Sequence, residues 1–397
     1  MNRLPPAGWK ALAIAAVLVV VVSCGVVAKA QGSIEVVSDK TATDFPNTLT
    51  FSLQARSASS ITRIEMDYTV DRQSCARIVN VAFPNFQPGT SVNAQWALQT
   101  KMVGGLPPGT RFAYQWIIQD SSGNRLETQP KAVSFDDTRH NWRQTTQGPV
   151  TIHWYSGSDS FAKQLMDAAQ TGLQRMGTDA GAQLDRQAQV YVYNGISDLR
   201  SALIFPTEYT GGLAYSNFNI VTIGVGEGDL AFGKGAIAHE LAHLLVERAA
   251  HNCYNNIPSW LNEGLATHAE GAMRPEFQQA LNQAVSKDGV FPLASLVGSF
   301  PALASDATLA YAESRGVVDY LINTQTKGSV QKLLQSLQGG ISIDDALKSV
   351  YGFDMFSLDN AWRQSLGLKP RPTPTPSPQP SAHALSTLGA SVRGPSK

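Results

Sequence analysis

A change of hydrophobic period near residue 148 constrains this chain more than any other feature. Before it, short alternating or β-branched runs recur at 33–38, 48–55, 61–70, 76–83, 91–99, 111–119 and 131–135. Turn signals separate them: Phe45-Pro46-Asn47, Pro88-Gly89, Pro107-Pro108-Gly109 and Ser122-Gly123-Asn124. Period-two runs punctuated in this way read as strands. About seven of them in about 100 residues predict a β-sandwich of immunoglobulin or fibronectin III type over 31–137. Trp96, Phe112, Tyr114, Trp116, Phe135 and Trp142 read as its core. No cluster of His, Asp or Glu there suggests chemistry, so the reading is a binding or spacer module.

The stretch 138–148 is polar and irregular and reads as a linker. From 149 to 368 the pattern becomes α+β. Strands are expected at 150–155 and 189–193, and a strand pair opens at Gly211-Gly212 and ends at 220–225. A helix over 159–176 places Phe161, Leu165, Ala169, Leu173 and Met176 on one face. A short helix follows at 196–203, and beyond Asp229 nearly everything reads as helix. From Lys369 the run Pro-Arg-Pro-Thr-Pro-Thr-Pro-Ser-Pro cannot build a core and reads as an extended tail.

Charge is unevenly distributed. The whole chain balances 31 basic against 31 acidic residues. The first 30 residues and those from 369 onward carry seven of the bases and no acid, which leaves the body 24 basic against 31 acidic. A mildly acidic body argues against non-specific nucleic-acid binding, which needs a basic face.

The first thirty residues read as an address. Arg3 and Lys10 precede an apolar run over 11–27, and Ala28-Lys29-Ala30 offers a small-x-small cleavage pattern. The favoured reading is a cleaved export signal. The rivals are an uncleaved anchor, since about 18 apolar residues nearly span a bilayer, and a lipidated Cys24 after Val22-Ser23. All three place the body outside the cytoplasm, secreted or held at the membrane or cell wall. There, Cys75 and Cys253 can pair; the alternative is two separate buried thiols.

Chemistry concentrates at His239-Glu240-Leu241-Ala242-His243, in a run without helix breakers. Positions i and i+4 share a helix face, so both imidazoles can reach one ion. Glu240 lies beside that ion. A catalytic zinc keeps one position for water, and a neighbouring carboxylate takes its proton. Downstream, Pro258-Ser259 reads as a helix start, followed by Trp260-Leu261-Asn262-Glu263-Gly264-Leu265-Ala266. Glu263 falls one turn into that helix, 20 positions after His243. A helix, a reversal and a second helix bring it to face the pair, and two His plus one Glu is a recognised catalytic zinc set. The third-histidine pattern fails, since Ala249 stands at its position. His251 reads as a surface residue or a supporting one.

These residues resemble the gluzincin metallopeptidases, specifically the peptidase MA-like group. The resemblance covers roughly 150–368, with its specific part at 236–269. It implies a zincin-like metallopeptidase domain with zinc on the two helices and an edge strand, here within 212–225, that aligns peptide substrate. It also implies an oxyanion-stabilising tyrosine. Ala310-Tyr311-Ala312-Glu313-Ser314-Arg315-Gly316 stands at that place, which makes Tyr311 the candidate, with a core aromatic as the bland reading. Some members carry an Asp four residues after the ligand Glu to orient a histidine. Here Thr267 stands there, so support is expected from Glu247 or Glu270. Arg315 reads as an ion-pair partner before a substrate-carboxylate binder.

The reading is therefore an exported zinc metallopeptidase acting on peptide or protein substrates. His239, His243 and Glu263 hold the metal, Glu240 is the general base, and Tyr311 assists. The rivals are a cell-surface binding protein on an inactive peptidase scaffold and a zinc hydrolase of non-peptide substrates.

Overall fold

The alternating runs of the N-terminal third become seven strands: β1 (Glu35–Asp44), β2 (Thr48–Val70), β3 (Asn80–Ala82), β4 (Gly89–Gln99), β5 (Thr110–Asp120), β6 (Arg125–Glu127) and β7 (Lys131–Phe135). The computed structural model describes residues 33–206, 211–254, 257–301, 303–324 and 326–373. The runs expected at 48–55 and 61–70 are one strand. The serine-rich segment between them contains no Gly or Pro, and the chain crosses it with a register shift between Arg56 and Ile61. The first half of β2 pairs with β1 and β4, the second with β3 and β5. All seven strands thus belong to one hydrogen-bonded network. Phe51, Leu53, Met66, Trp116, Ile118 and Phe135 are buried between its parts.

A second, five-stranded sheet contains β8 (Arg143–Gln147), β9 (Val150–Trp154), β10 (Ala188–Tyr193), β11 (Gly212–Tyr215) and β12 (Ile220–Gly224), in the order β11-β12-β10-β9-β8. The expected linker at 138–148 is corrected here. Its second half is β8, antiparallel to β9. Arg-Gln-Thr-Thr-Gln gives no apolar signal because β8 is an outer strand with mostly exposed side chains. On β10 the period of two is explicit. Val190 and Val192 face the helices, whereas Tyr191 and Tyr193 join the core of the N-terminal sheet.

Nine helices occur among the described residues: α1 (Asp159–Asp179), α2 (Ile196–Ser201), α3 (Leu230–Ala250), α4 (Ser259–Ala269), α5 (Pro275–Ser286), α6 (Ala304–Thr324), α7 (Ser329–Gln338), α8 (Ile343–Tyr351) and α9 (Met355–Ser365). Ser158 caps α1 by accepting the Phe161 amide at 3.1 Å, and the expected face of α1 packs on the sheet. α3 is buried on most sides, because the sheet and α1 cover one flank and α4 and α7 the others. Its positions His239 and Glu240 reach a cleft. None of the helices described is long and apolar enough to cross a membrane. The apolar segment at 11–27 lies outside the described residues.

Cys75 and Cys253 form a disulfide with their Cα atoms 5.9 Å apart. It joins the loop after β2 to the loop between α3 and α4. Both cysteines are surface residues, so the alternative of separate buried thiols does not hold.

Candidate metal centre

Helix α3 delivers His239 and His243 one turn apart, with ring centroids 4.8 Å from each other. Helix α4 delivers Glu263. Trp260, Leu261 and Leu265 are fully buried in the helical core, which turns the intervening Asn262 and Glu263 toward α3. Gly264 sets the depth of α4. A Cβ there would lie 2.4 Å from the Ser314 carbonyl oxygen and 2.6 Å from Val318. Only a residue without a side chain lets α4 approach α6 this closely.

The donors converge. Glu263 Oε2 lies 3.3 Å from His239 Nε2 and 3.5 Å from His243 Nε2, and the three atoms lie within 4.8 Å of one another. Zinc bonds of about 2.0–2.2 Å at tetrahedral angles put neighbouring donors about 3.3–3.5 Å apart. Glu263 Oε2 is also buried with no hydrogen-bond partner. A buried carboxylate oxygen without a partner is costly, and a shared cation between it and two imidazole nitrogens removes that cost. The residues present fit zinc.

Both rings are held from behind. His239 Nδ1 meets Glu270 Oε1 at 2.8 Å, and His243 Nδ1 meets Asn262 Oδ1 at 2.9 Å. With Nδ1–H donating to these oxygens, each Nε2 lone pair points at the donor cluster. Glu270 is clamped in turn by two hydrogen bonds of 2.7 Å from Arg274. Burial opposes ionisation of Glu270, but His239 and Arg274 hold its pKa down at about 2. Burial likewise disfavours a charged His239, yet Glu263 and Glu270 lift its pKa to about 10. A proton on His239 and a cation among the donors would compete for the same nitrogen.

Glu240 stands beside the donors, packed under the edge strand. A Cβ on Gly212 would lie 2.6 Å from Glu240 Oε1, so glycine lets the backbone of β11 pass directly over this carboxylate. Burial raises the Glu240 carboxyl above its ordinary value, with His239 and His243 pulling the other way. Tyr311 reaches the same cleft from α6. Its ring centroid is 6.2 Å from that of His239, stacked on Phe277 at 6.0 Å and edge-on to Phe300 at 5.1 Å. Burial, then the charges of Glu263 and Glu240, push its phenol upward. The cleft holds about 510 Å³.

All five residues singled out from sequence thus meet in one place. The supporting residues divide. Glu270 reaches His239, whereas Glu247 pairs with His251 at 2.7 Å, on the side of Cys75. Thr267 donates to the Glu263 carbonyl at 2.6 Å. Arg315 is buried, bound to Asp319 at 2.6 Å and to the carbonyls of Thr267 and Gly271. Sequence reasoning missed Asn262, although it directly precedes Glu263, and Arg274, although it stands four residues after Glu270 on the following turn.

The sequence model of the peptidase MA superfamily matches residues 168–367, half of the chain. The chain belongs to the peptidase MA superfamily. The match spans α3, α4 and α6 and so contains every residue of the centre. No curated protein matches the sequence. Among solved structures, this peptidase MA chain is similar to an M1 zinc metallopeptidase from Deinococcus radiodurans, at 13% identity and a TM-score of 0.33, over 87% of this chain and 96% of that one. It is also similar to Legionella pneumophila aminopeptidase A in complex with aspartic acid, at 10% identity and a TM-score of 0.36, over 85% of this chain and 51% of that one. At such identities and scores neither likeness bears on what this chain acts upon.

Proposed function

We propose that this protein is an exported zinc-dependent peptidase. One observation carries the reading: three donors that converge closely enough to share one ion, with the Glu240 carboxylate between them and a strand edge that is unpaired among the described residues. Family membership agrees with it. When bound, zinc supplies Lewis acidity that polarises the scissile carbonyl and lowers the pKa of a water toward neutrality.

The chain's own residues supply the remaining steps. His239, His243 and Glu263 hold the ion, with Glu270 and Asn262 fixing the imidazole orientations. β11 pairs only with β12 among the described residues, so its outer edge can take an extended peptide as an added strand. That strand lies over Glu240. The Glu240 carboxylate accepts a proton from the water that attacks the carbonyl carbon and returns it to the leaving amine. The Tyr311 hydroxyl donates to the carbonyl oxygen as charge develops there.

A disulfide between surface cysteines supports a compartment outside the reducing cytoplasm. In this reading the N-terminal segment exports the chain or holds it at the membrane or cell wall. On the same reading residues 31–137 are an immunoglobulin-like or fibronectin-like module. The two differently paired halves of β2 are the reason to see two layers there.

The test couples metal analysis to digestion of a peptide library by the full chain. His243→Ala should lose most of its zinc. Glu240→Gln should keep zinc and lose about 10² to 10⁴ in turnover. A zinc-loaded parent that cuts no peptide would point to the inactive-scaffold reading.

A further inference from the structure

The cleft at the metal centre adjoins a second cavity. It holds about 560 Å³ and lies between α1, the N-terminal half of α3 and the start of α5. Phe232 and Arg274 line both spaces. The helical period of α3 explains the arrangement. Ala236, His239 and Glu240 face the metal cleft, whereas Lys234, Gly235 and Ala238 face its neighbour. Phe232 and Arg274 thus form the wall shared by the metal cleft and the second cavity.

The charges of that cavity do not cancel. Its carboxylates are Glu270 and Glu276. Glu270 is held by Arg274 and His239, and Glu276 lies 4.0 Å from Arg274. Two cations remain. Arg175 donates to the Ala269 carbonyl and Lys234 to the Gln164 amide oxygen. Among the described residues neither forms an ion pair. Gly172, Gly235 and Ala238 also line the cavity; a Cβ on Gly172 would lie 2.8 Å from Ala238, so glycine there lets α1 pack closely on α3.

We propose that this second cavity is a subsite for acidic side chains of the substrate polypeptide. The proposal rests on the peptidase reading and deepens it. A peptide paired to β11 advances about 3.3 Å per residue, and because the two cavities share a wall, the proposal places the acidic positions beyond the residues at the scissile bond and within the same extended segment. The aromatic wall of Phe232, Phe277, Phe300 and Tyr311 receives an apolar side chain nearer the metal. The preferred substrate is then a segment with a large apolar residue at the cut and Asp or Glu further along.

The experiment uses two quenched fluorogenic peptides with one shared aromatic centre. One carries Asp and Glu at the third to fifth positions on both sides, the other Asn and Gln. The zinc-loaded full chain should favour the acidic peptide by about tenfold in kcat/KM, the size of one charge-assisted contact. The preference should shrink as salt is raised. Lys234→Glu, a change at an exposed position, should abolish or invert the ratio between the two peptides.

Binding of labelled versions to the Glu240→Gln chain, followed by fluorescence anisotropy, gives the same comparison without catalysis. If neither peptide is cut, the peptidase reading fails, while the ratio of Kd values still decides the subsite. Equal kcat/KM and equal Kd for the two peptides, or a preference untouched by Lys234→Glu, would overturn the proposal.

Discussion

At the scale of single residues, the centre separates what spacing reveals from what packing reveals. His239, Glu240 and His243 were legible because the i, i+4 rule needs no tertiary information, and Glu263 because one reversal leaves it a single facing position. Glu270 was less legible. It stands seven residues after Glu263, just beyond the end of α4, and its contact with His239 depends on where α4 stops. Tyr311 depends on the placement of α6 and carries the sharpest prediction at this scale. Its ring is fixed by Phe277 and Phe300, so Tyr311→Phe should keep the packing and remove only the hydroxyl. Zinc content and melting temperature should match the parent, while turnover falls about 10² to 10³ with little change in substrate binding. Turnover equal to the parent's would leave Tyr311 as a wall of the cleft and nothing more.

At the scale of elements, the cluster of His239, His243 and Glu263 is a consequence of how closely helices approach. Alanine normally stabilises a helix interior by about 0.5–1 kcal/mol over glycine. At Gly264 the sign should reverse, because the new methyl would meet the backbone of α6. Gly264→Ala is expected to destabilise by about 1–3 kcal/mol and to lose zinc, since Glu263 moves with α4. Melting curves and metal analysis check both. Sequence showed that α4 exists and where it begins, but the crossing at Gly264 needs the partner helix. Helix α6 also carries Glu313, buried and accepting the Phe291 amide at 2.9 Å. Burial raises its pKa to about 8, with the Phe291 amide and Arg371 pulling back. In the unfolded chain a Glu titrates near about 4.3. Between these values the folded state binds the extra proton, so this contribution to stability is present at low pH and is lost as pH rises from about 4 toward 8. The parent should therefore melt lower at pH 8 than at pH 6, and Glu313→Gln should flatten that part of the profile. An unchanged slope in the variant would assign the pH dependence to other groups.

At the scale of the whole molecule, the two halves are not beads on a string. Tyr191, Tyr193, Leu199 and Ile220 from the second half complete the core of the N-terminal sheet. The loop after β2 docks on the peptidase half through Gln73 with Asn217 and Arg248, and through Asp71 with Arg186. The change of period near residue 148 revealed that there are two patterns. It could not reveal that they share a core, because tyrosines at alternate positions of a strand look the same whichever sheet they meet. The sequence left the Cys75–Cys253 pairing open for a similar reason, as the two cysteines are 178 positions apart. The C-terminal boundary shows the same limit and gives the last prediction. Composition placed Arg371 in a tail that builds nothing. In the structure its guanidinium donates to Asp359 at 2.7 Å and to the Val290 carbonyl at 2.8 Å, and its amide bonds Asn360 at 2.7 Å. The Asp359 side chain is only 4% exposed. Removing one partner of a largely buried pair leaves a charge with neither water nor counter-ion, at a cost of about 3 kcal/mol or more. A chain ending at Leu368 should therefore melt well below the parent, whereas one ending at Thr373 should melt with it. Arg371→Gln in the full-length chain should reproduce most of the loss. Equal melting temperatures for the two truncations would show that Arg371 contributes nothing to the fold and that the tail begins where composition put it.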